Sequence, residues 1–81
     1  MTKQKIVDLI VAHLCEVIPD LQGRSFTPSD SLRELGANSL DRSEILMMTL
    51  ESLSLKIPLI ELAGASNIGE LASIIHAKSG A

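Results

Sequence analysis

Apolar side chains in this chain recur at the spacing of a helix, and no segment carries the period of a strand. Ile6, Val7, Ile10, Val11, Leu14, Val17 and Ile18 mark a helix over about 3–18. Thr2 is placed to cap its start and Pro19 to stop it. Near the other end, Asn67 followed by Glu70 resembles a capping box. It opens a last helix over about 67–78 with Ile68, Leu71, Ala72, Ile74 and Ile75 facing inward. Gly69 is a weak spot in that helix on propensity alone, and Lys78 and Gly80 are expected in a frayed tail. A middle helix runs from about 39 to 53. Pro58 suits the first position of a short helix over 58–63, which Gly64 ends. The expected fold is therefore all-α: a bundle of three main helices and one short one, with residues 1–81 forming one domain.

The connection over 19–38 exceeds the ~12–15 residues usual for a loop without structure in a compact domain. It needs anchors, and Leu21, Phe26, Leu32 and Leu35 are the candidates. Ser31 to Leu35 has the length of a single helical turn. Ser25, Thr27, Ser29 and Ser31 are turn formers rather than chemistry.

A chain of 81 residues closes only a modest core. Phe26 is its one aromatic residue, so aliphatic side chains with Met47 and Met48 must fill that core. With net charge −3 and no Tyr or Trp to stack on a base, nucleic-acid binding is not expected. No apolar run approaches the ~20 residues that cross a bilayer. The start, Thr2-Lys3-Gln4-Lys5, leads into a helix interrupted by Asp8, His13 and Glu16, unlike a signal peptide. Cys15 has no partner for an internal disulfide, which fits a reducing cytoplasm.

The middle helix is unusual because its apolar residues do not make one stripe. Ile45, Met48 and Leu53 can face inward with Thr49, while Leu40, Met47 and Leu50 fall on a different side with Leu46 beside them. A helix apolar nearly all round belongs in a large core or a membrane, and this domain offers neither. Either neighbouring helices bury the extra side chains, or a second, outward face is covered by something else.

Just before that helix stands Gly36-Ala37-Asn38-Ser39-Leu40-Asp41. Asn38 is a preferred N-cap whose side chain can accept from the N–H of Leu40 or Asp41. Asp41 falls at N3, where a carboxylate suits the positive helix end. This leaves the hydroxyl of Ser39 uncommitted at the first helical position, open to modification. A phosphodiester there would gain ~0.3–1 kcal/mol from the helix N-terminus, which Asp41 would modestly oppose.

Catalytic patterns are missing. There is no glycine-rich phosphate loop after a strand and no His/Cys cluster with zinc spacing, so no metal site is expected. His13 and His76 lie on different helices, with no acid placed to orient either against Ser39. Both are expected as surface histidines, and Cys15 as a partly buried thiol. Asp41 and Glu44 share a helix face, but a paired-carboxylate role needs an enclosing cleft. A solvated, partner-facing edge is the expectation.

Leu35-Gly36-Ala37-Asn38-Ser39-Leu40-Asp41 followed by Glu44-Ile45 resembles the attachment motif of acyl carrier proteins, usually Leu-Gly-x-Asp-Ser-Leu with a following Glu-Leu/Ile. The likeness extends over nearly the whole chain, including the long first loop, Ser31-Leu32, Ile57-Pro58 and the capped last helix. The resemblance implies a four-helix carrier, not an enzyme. A phosphopantetheinyl transferase would move 4′-phosphopantetheine from coenzyme A onto Ser39, and the thiol of the arm would hold acyl groups as thioesters. It also implies that Asp41 and Glu44 meet basic patches on partner enzymes and that Leu40 and Met47 make apolar contacts there. Asn38, Arg42 and Leu50 are expected on the same partner-binding edge.

Some residues depart from that pattern. Asn38 replaces the usual Asp and deletes a charge that transferases often contact. Arg42 and Ser43 stand where a small residue and an aliphatic one are common. Leu50, Leu59 and Ile60 are apolar where fatty-acid carriers are acidic. These differences favour a polyketide-type carrier that selects partners by shape and apolar contact. The short chain beginning at Met1 resembles discrete monomeric carriers that meet acyltransferases and ketosynthase-like enzymes, including acetyl donors to a hydroxymethylglutaryl-synthase-like enzyme in β-branching. A peptidyl or D-alanyl carrier, and an unmodified helical interaction module, are the alternatives.

Overall fold

Thr2 opens the first helix as its position predicts, its hydroxyl accepting from the N–H of Lys5 at 3.2 Å. The computed structural model describes residues 2–79. It contains three α-helices: α1 (Lys3–Val17), α2 (Ser39–Ser52) and α3 (Ile68–Lys78). Two 3₁₀ turns, Pro19–Leu21 and Leu59–Glu61, complete the regular structure, with no strand among the described residues. Lys78, expected in a frayed tail, is instead the last residue of α3, and the tail expected at Gly80 lies outside the described residues.

α1 packs against both α2 and α3, whose backbones do not meet each other among the described residues. Ile6, Ile10 and Leu14 of α1, Ile45 of α2, and Ile68, Ala72 and Ile75 of α3 are fully buried in one core. Aliphatic packing of this kind, worth ~1.5–3 kcal/mol per fully buried side chain, supplies the main driving force. Thr49 is buried among them, and its hydroxyl donates to the carbonyl of Ile45 at 2.8 Å, which removes the cost of an unpaired polar group.

The long connection is anchored at its leucines: Leu21, Leu32 and Leu35 are buried, while Phe26 is only partly covered. It is also tied down by backbone. The first N–H groups of α3 have no partner within their own helix. Those of Ile68 and Gly69 donate to the carbonyls of Asp30 (2.9 Å) and Pro28 (2.7 Å). Gly69 is therefore the residue that lets the loop approach, not a weak spot. A Cβ there would stand 3.0 Å from Cβ of Pro28 and 3.1 Å from its carbonyl oxygen.

The short helix expected over 58–63 is a 3₁₀ turn instead. Its bonds run three residues apart, from the N–H groups of Glu61, Leu62 and Ala63 to the carbonyls of Pro58, Leu59 and Ile60. None of Leu59–Glu61 is fully buried. Leu59 packs partly against the core, Leu62 just after the turn is buried in it, and Ile60 stands in solvent, so little rewards a full α-turn. Lys78 of α3 forms an ion pair with Glu61. Gly64, expected to end that helix, follows the turn without the left-handed conformation of a glycine cap.

Between α2 and α3 lies an open groove of about 870 Å³. Leu32, Leu46, Leu62 and Leu71, all buried, line it together with Arg33 and Arg42.

Candidate functional site: the N-terminal turn of α2

Each residue before α2 does one geometric job. Ser31–Leu35 forms the expected single turn, with the N–H of Leu35 donating to the carbonyl of Ser31 at 3.0 Å. The turn then stops. The N–H of Gly36 donates to the carbonyl of Arg33 (3.2 Å) and that of Ala37 to the carbonyl of Leu32 (3.0 Å). That pairing is a Schellman motif, which needs a left-handed residue at its hinge. Gly36 supplies it with φ 102°. The two side chains this motif brings to one side, Leu32 and Ala37, are both buried.

The chain emerges at Asn38 in an extended conformation and begins α2. The side chain of Asn38 accepts from the N–H of Asp41 at 2.8 Å, and the Asp41 carboxylate accepts from the N–H of Asn38 at 3.4 Å. This reciprocal box satisfies two backbone donors at once. Ser39 follows as the first helical residue, exposed, its hydroxyl without a hydrogen-bond partner among the described residues. Ordinary N-cap chemistry by its neighbours is what leaves it free.

α2 divides its side chains into two sets by angle. At about 100° per residue, Ile45, Thr49, Leu53, Leu46 and Leu50 span one arc, and all but the partly covered Leu53 are buried. Leu50, expected on the outward face, is 6% exposed and belongs to the core. The C-terminal end of α2 explains why. The N–H groups of Ser54 and Leu55 donate to the carbonyls of Glu51 and Leu50, a second Schellman motif. This pairs Leu50 with Leu55, which is itself packed against the core. Leu40 and Met47 remain on the opposite arc with Glu44 and Glu51, 75% and 58% exposed respectively. Ile60 on the second 3₁₀ turn is 81% exposed.

Arg42 does not point freely into solvent. Its Nη1 donates to the carbonyl of Ala37 at 2.9 Å, bracing the turn before the cap. Sequence reasoning placed Arg42 on the edge and missed this bond, which spans the cap itself.

His13 also departs from the sequence expectation, being half-buried. Its Nε2 lies 3.2 Å from Oγ of Ser52 and its Nδ1 3.5 Å from Oε2 of Glu16. This pins α1 to the C-terminal end of α2, about 20 Å along the helix from Ser39. Cys15 is partly buried and free. His76 lies in the last turn of α3 and is partly covered. No group of His, Cys, Asp or Glu among the described residues could hold a metal.

An exposed, unbonded serine hydroxyl at the positive end of a 14-residue helix fits a phosphate-linked prosthetic group, because that end favours an anion. Residues 8–75 match the family model for the phosphopantetheine attachment site, and the chain belongs to that family. It is an acyl carrier whose cofactor is covalently attached 4′-phosphopantetheine. When bound, this cofactor supplies the thiol that holds acyl groups as thioesters.

Among its relatives, the chain is 55% identical over 78 residues to the polyketide biosynthesis acyl-carrier protein AcpK of Bacillus subtilis (strain 168), covering 96% of this chain and 95% of AcpK. It is 28% identical over 80 residues to an acyl carrier protein of Prochlorococcus marinus (strain MIT 9515), covering 99% and 100%. In three dimensions it matches a chain from the crystal structure of the curacin biosynthetic pathway HMG synthase in complex with acetyl donor-ACP. The TM-score is 0.92 at 49% identity, over 96% of this chain and 100% of that one.

Proposed function

We propose that Ser39 bears the phosphopantetheine and that this chain presents acyl groups to polyketide-type enzymes without catalysing their chemistry. Its acceptor enzyme is hydroxymethylglutaryl-synthase-like, and its cargo an acetyl group. The observation that carries the proposal is the exposed hydroxyl of Ser39, left uncommitted while Asn38 and Asp41 do the capping. The acetyl cargo is supported by the 0.92 TM-score to a chain of the acetyl donor-ACP complex and by the 55% identity to a polyketide carrier.

The division of labour follows from the positions of the titratable side chains. His13 is committed to Ser52 at the far end of α2, and His76 sits in the last turn of α3. Neither is placed to take the proton of Ser39, so activation of that hydroxyl falls to a phosphopantetheinyl transferase. This chain's contribution is to hold the hydroxyl at a fixed helix end and to offer a docking face beside it. That face is the exposed stripe of Leu40, Glu44 and Met47, with Asn38 and Asp41 at its top. Acyltransferases and ketosynthase-like enzymes would meet the same stripe. We place the carrier in the cytoplasm with those enzymes, where the lone Cys15 stays reduced.

Intact mass after incubation with coenzyme A and a promiscuous phosphopantetheinyl transferase tests the attachment. The wild-type chain gains one arm, and Ser39→Ala gains none while keeping its helical circular-dichroism spectrum. A wild-type chain that stays unmodified refutes the proposal. For the docking face, Met47→Asp is expected to slow acetyl transfer to the partner at least tenfold with little change in melting temperature. Normal transfer by that variant would remove Met47 from the interface.

A further inference from the structure

The attachment of an arm to Ser39 does not by itself require an arginine nearby, yet the turn contains one. On a helix, the neighbours of Ser39 on its own face are the residues three and four positions on, Arg42 and Ser43. The acidic residues of the same turns lie elsewhere. Asp41 bends back to the N–H of Asn38, and Glu44 falls about 140° round the helix from Ser39, beside Leu40 and Met47. Arg42 is thus the only charged residue in these turns on the serine's own side. Helical side chains lean towards the N-terminus, and Arg42 does so far enough to donate from Nη1 to the carbonyl of Ala37 at 2.9 Å. That bond uses one of five N–H donors and holds the guanidinium, half-buried, on the rim of the groove between α2 and α3.

We infer that Arg42 is the counter-ion of the phosphodiester linking phosphopantetheine to Ser39, seating the first link of the arm at the rim of that groove. The inference rests on attachment at Ser39. A guanidinium fork matches phosphate oxygens and forms charge-assisted bonds to them. Here it is already oriented by Ala37, so little freedom is lost when the phosphate arrives. The N-terminus of α2 adds its own positive end. Two departures from the usual carrier motif then share one explanation. Asn38 for Asp removes a negative charge beside the phosphate, Arg42 adds a positive one, and Asn38 still caps the helix.

The test uses the full chain labelled with ¹⁵N, before and after loading by a transferase, with loading checked by mass. The Nε–H resonance of Arg42 is expected to move on loading while that of Arg24 stays in place. In the loaded protein, the ³¹P resonance should shift in Arg42→Gln to the position it takes in urea-unfolded loaded protein, and Arg42→Lys should fall between. If Arg42 only braces Ala37, its Nε–H will not respond to loading. A mass gain with an unmoved Arg42 resonance overturns the inference alone. Absence of the mass gain overturns attachment at Ser39 as well. The wild-type resonance decides the matter even where a variant fails to fold.

Discussion

The two helical turns that frame α2 end in the same hydrogen-bond pattern but with different hinge residues. Before α2, Gly36 takes φ 102°, and after it Ser54 takes φ 55°. A glycine sits in the left-handed region without strain, whereas a serine does so at a cost. The relaxed hinge lies three residues from Ser39. The strained one lies at the quiet end, where His13 and Leu55 help to hold it. With the arm proposed on Ser39, the transferase must find that hydroxyl, and later enzymes the arm it bears, in one fixed place, and the chain keeps that end free of stored strain. Strain at the far end costs stability without moving the site.

Substitutions at the two ends should therefore behave oppositely. The largest effect is expected for Gly36→Ala. Nothing lies within 4 Å of the added Cβ, so the loss of ~1–2 kcal/mol is purely conformational, and loading by the transferase should slow with it. A denaturant midpoint equal to wild type would show that the hinge tolerates a side chain and would erase the contrast. Asn38→Ala comes next, at about 1 kcal/mol for the lost cap, with Asn38→Asp nearly neutral. Midpoints that rank those two the other way would remove the cap from Asn38. Smallest is Ser54→Gly, expected to raise stability by ~0.5–1 kcal/mol and to leave loading unchanged. A loss of stability in that variant would mean that the far hinge is not strained.

What the sequence made legible is what is local. Asn38, Ser39 and Asp41 fall within one turn, so a cap, a free hydroxyl and a helix start follow from four consecutive residues. The same holds for Thr2, and for Asn67 with Glu70, whose N–H reaches Oδ1 of Asn67 at 2.7 Å. The errors involve partners distant in sequence. Leu50 and Met47 look alike on a helix apolar nearly all round, and only the position of α1 and the return of Leu55 decide which is buried. Gly69 reads as a defect until Pro28 is brought against it. His13 and Ser52 meet across 39 residues, beyond any motif. The stretch over 58–63 has the composition of a helix, but only Leu62 is fully buried and Ile60 stands in solvent, and it forms only a 3₁₀ turn.

The cap of α2 leaves one hydroxyl, that of Ser39, free to be the tether, and the carrier's role depends on that. Fragment-ion mapping of the transferase-treated chain measures this most directly. The arm is expected on Ser39 alone, with Ser31, Ser43 and Ser52 unmodified. An arm on any of those serines, or on none, would contradict it.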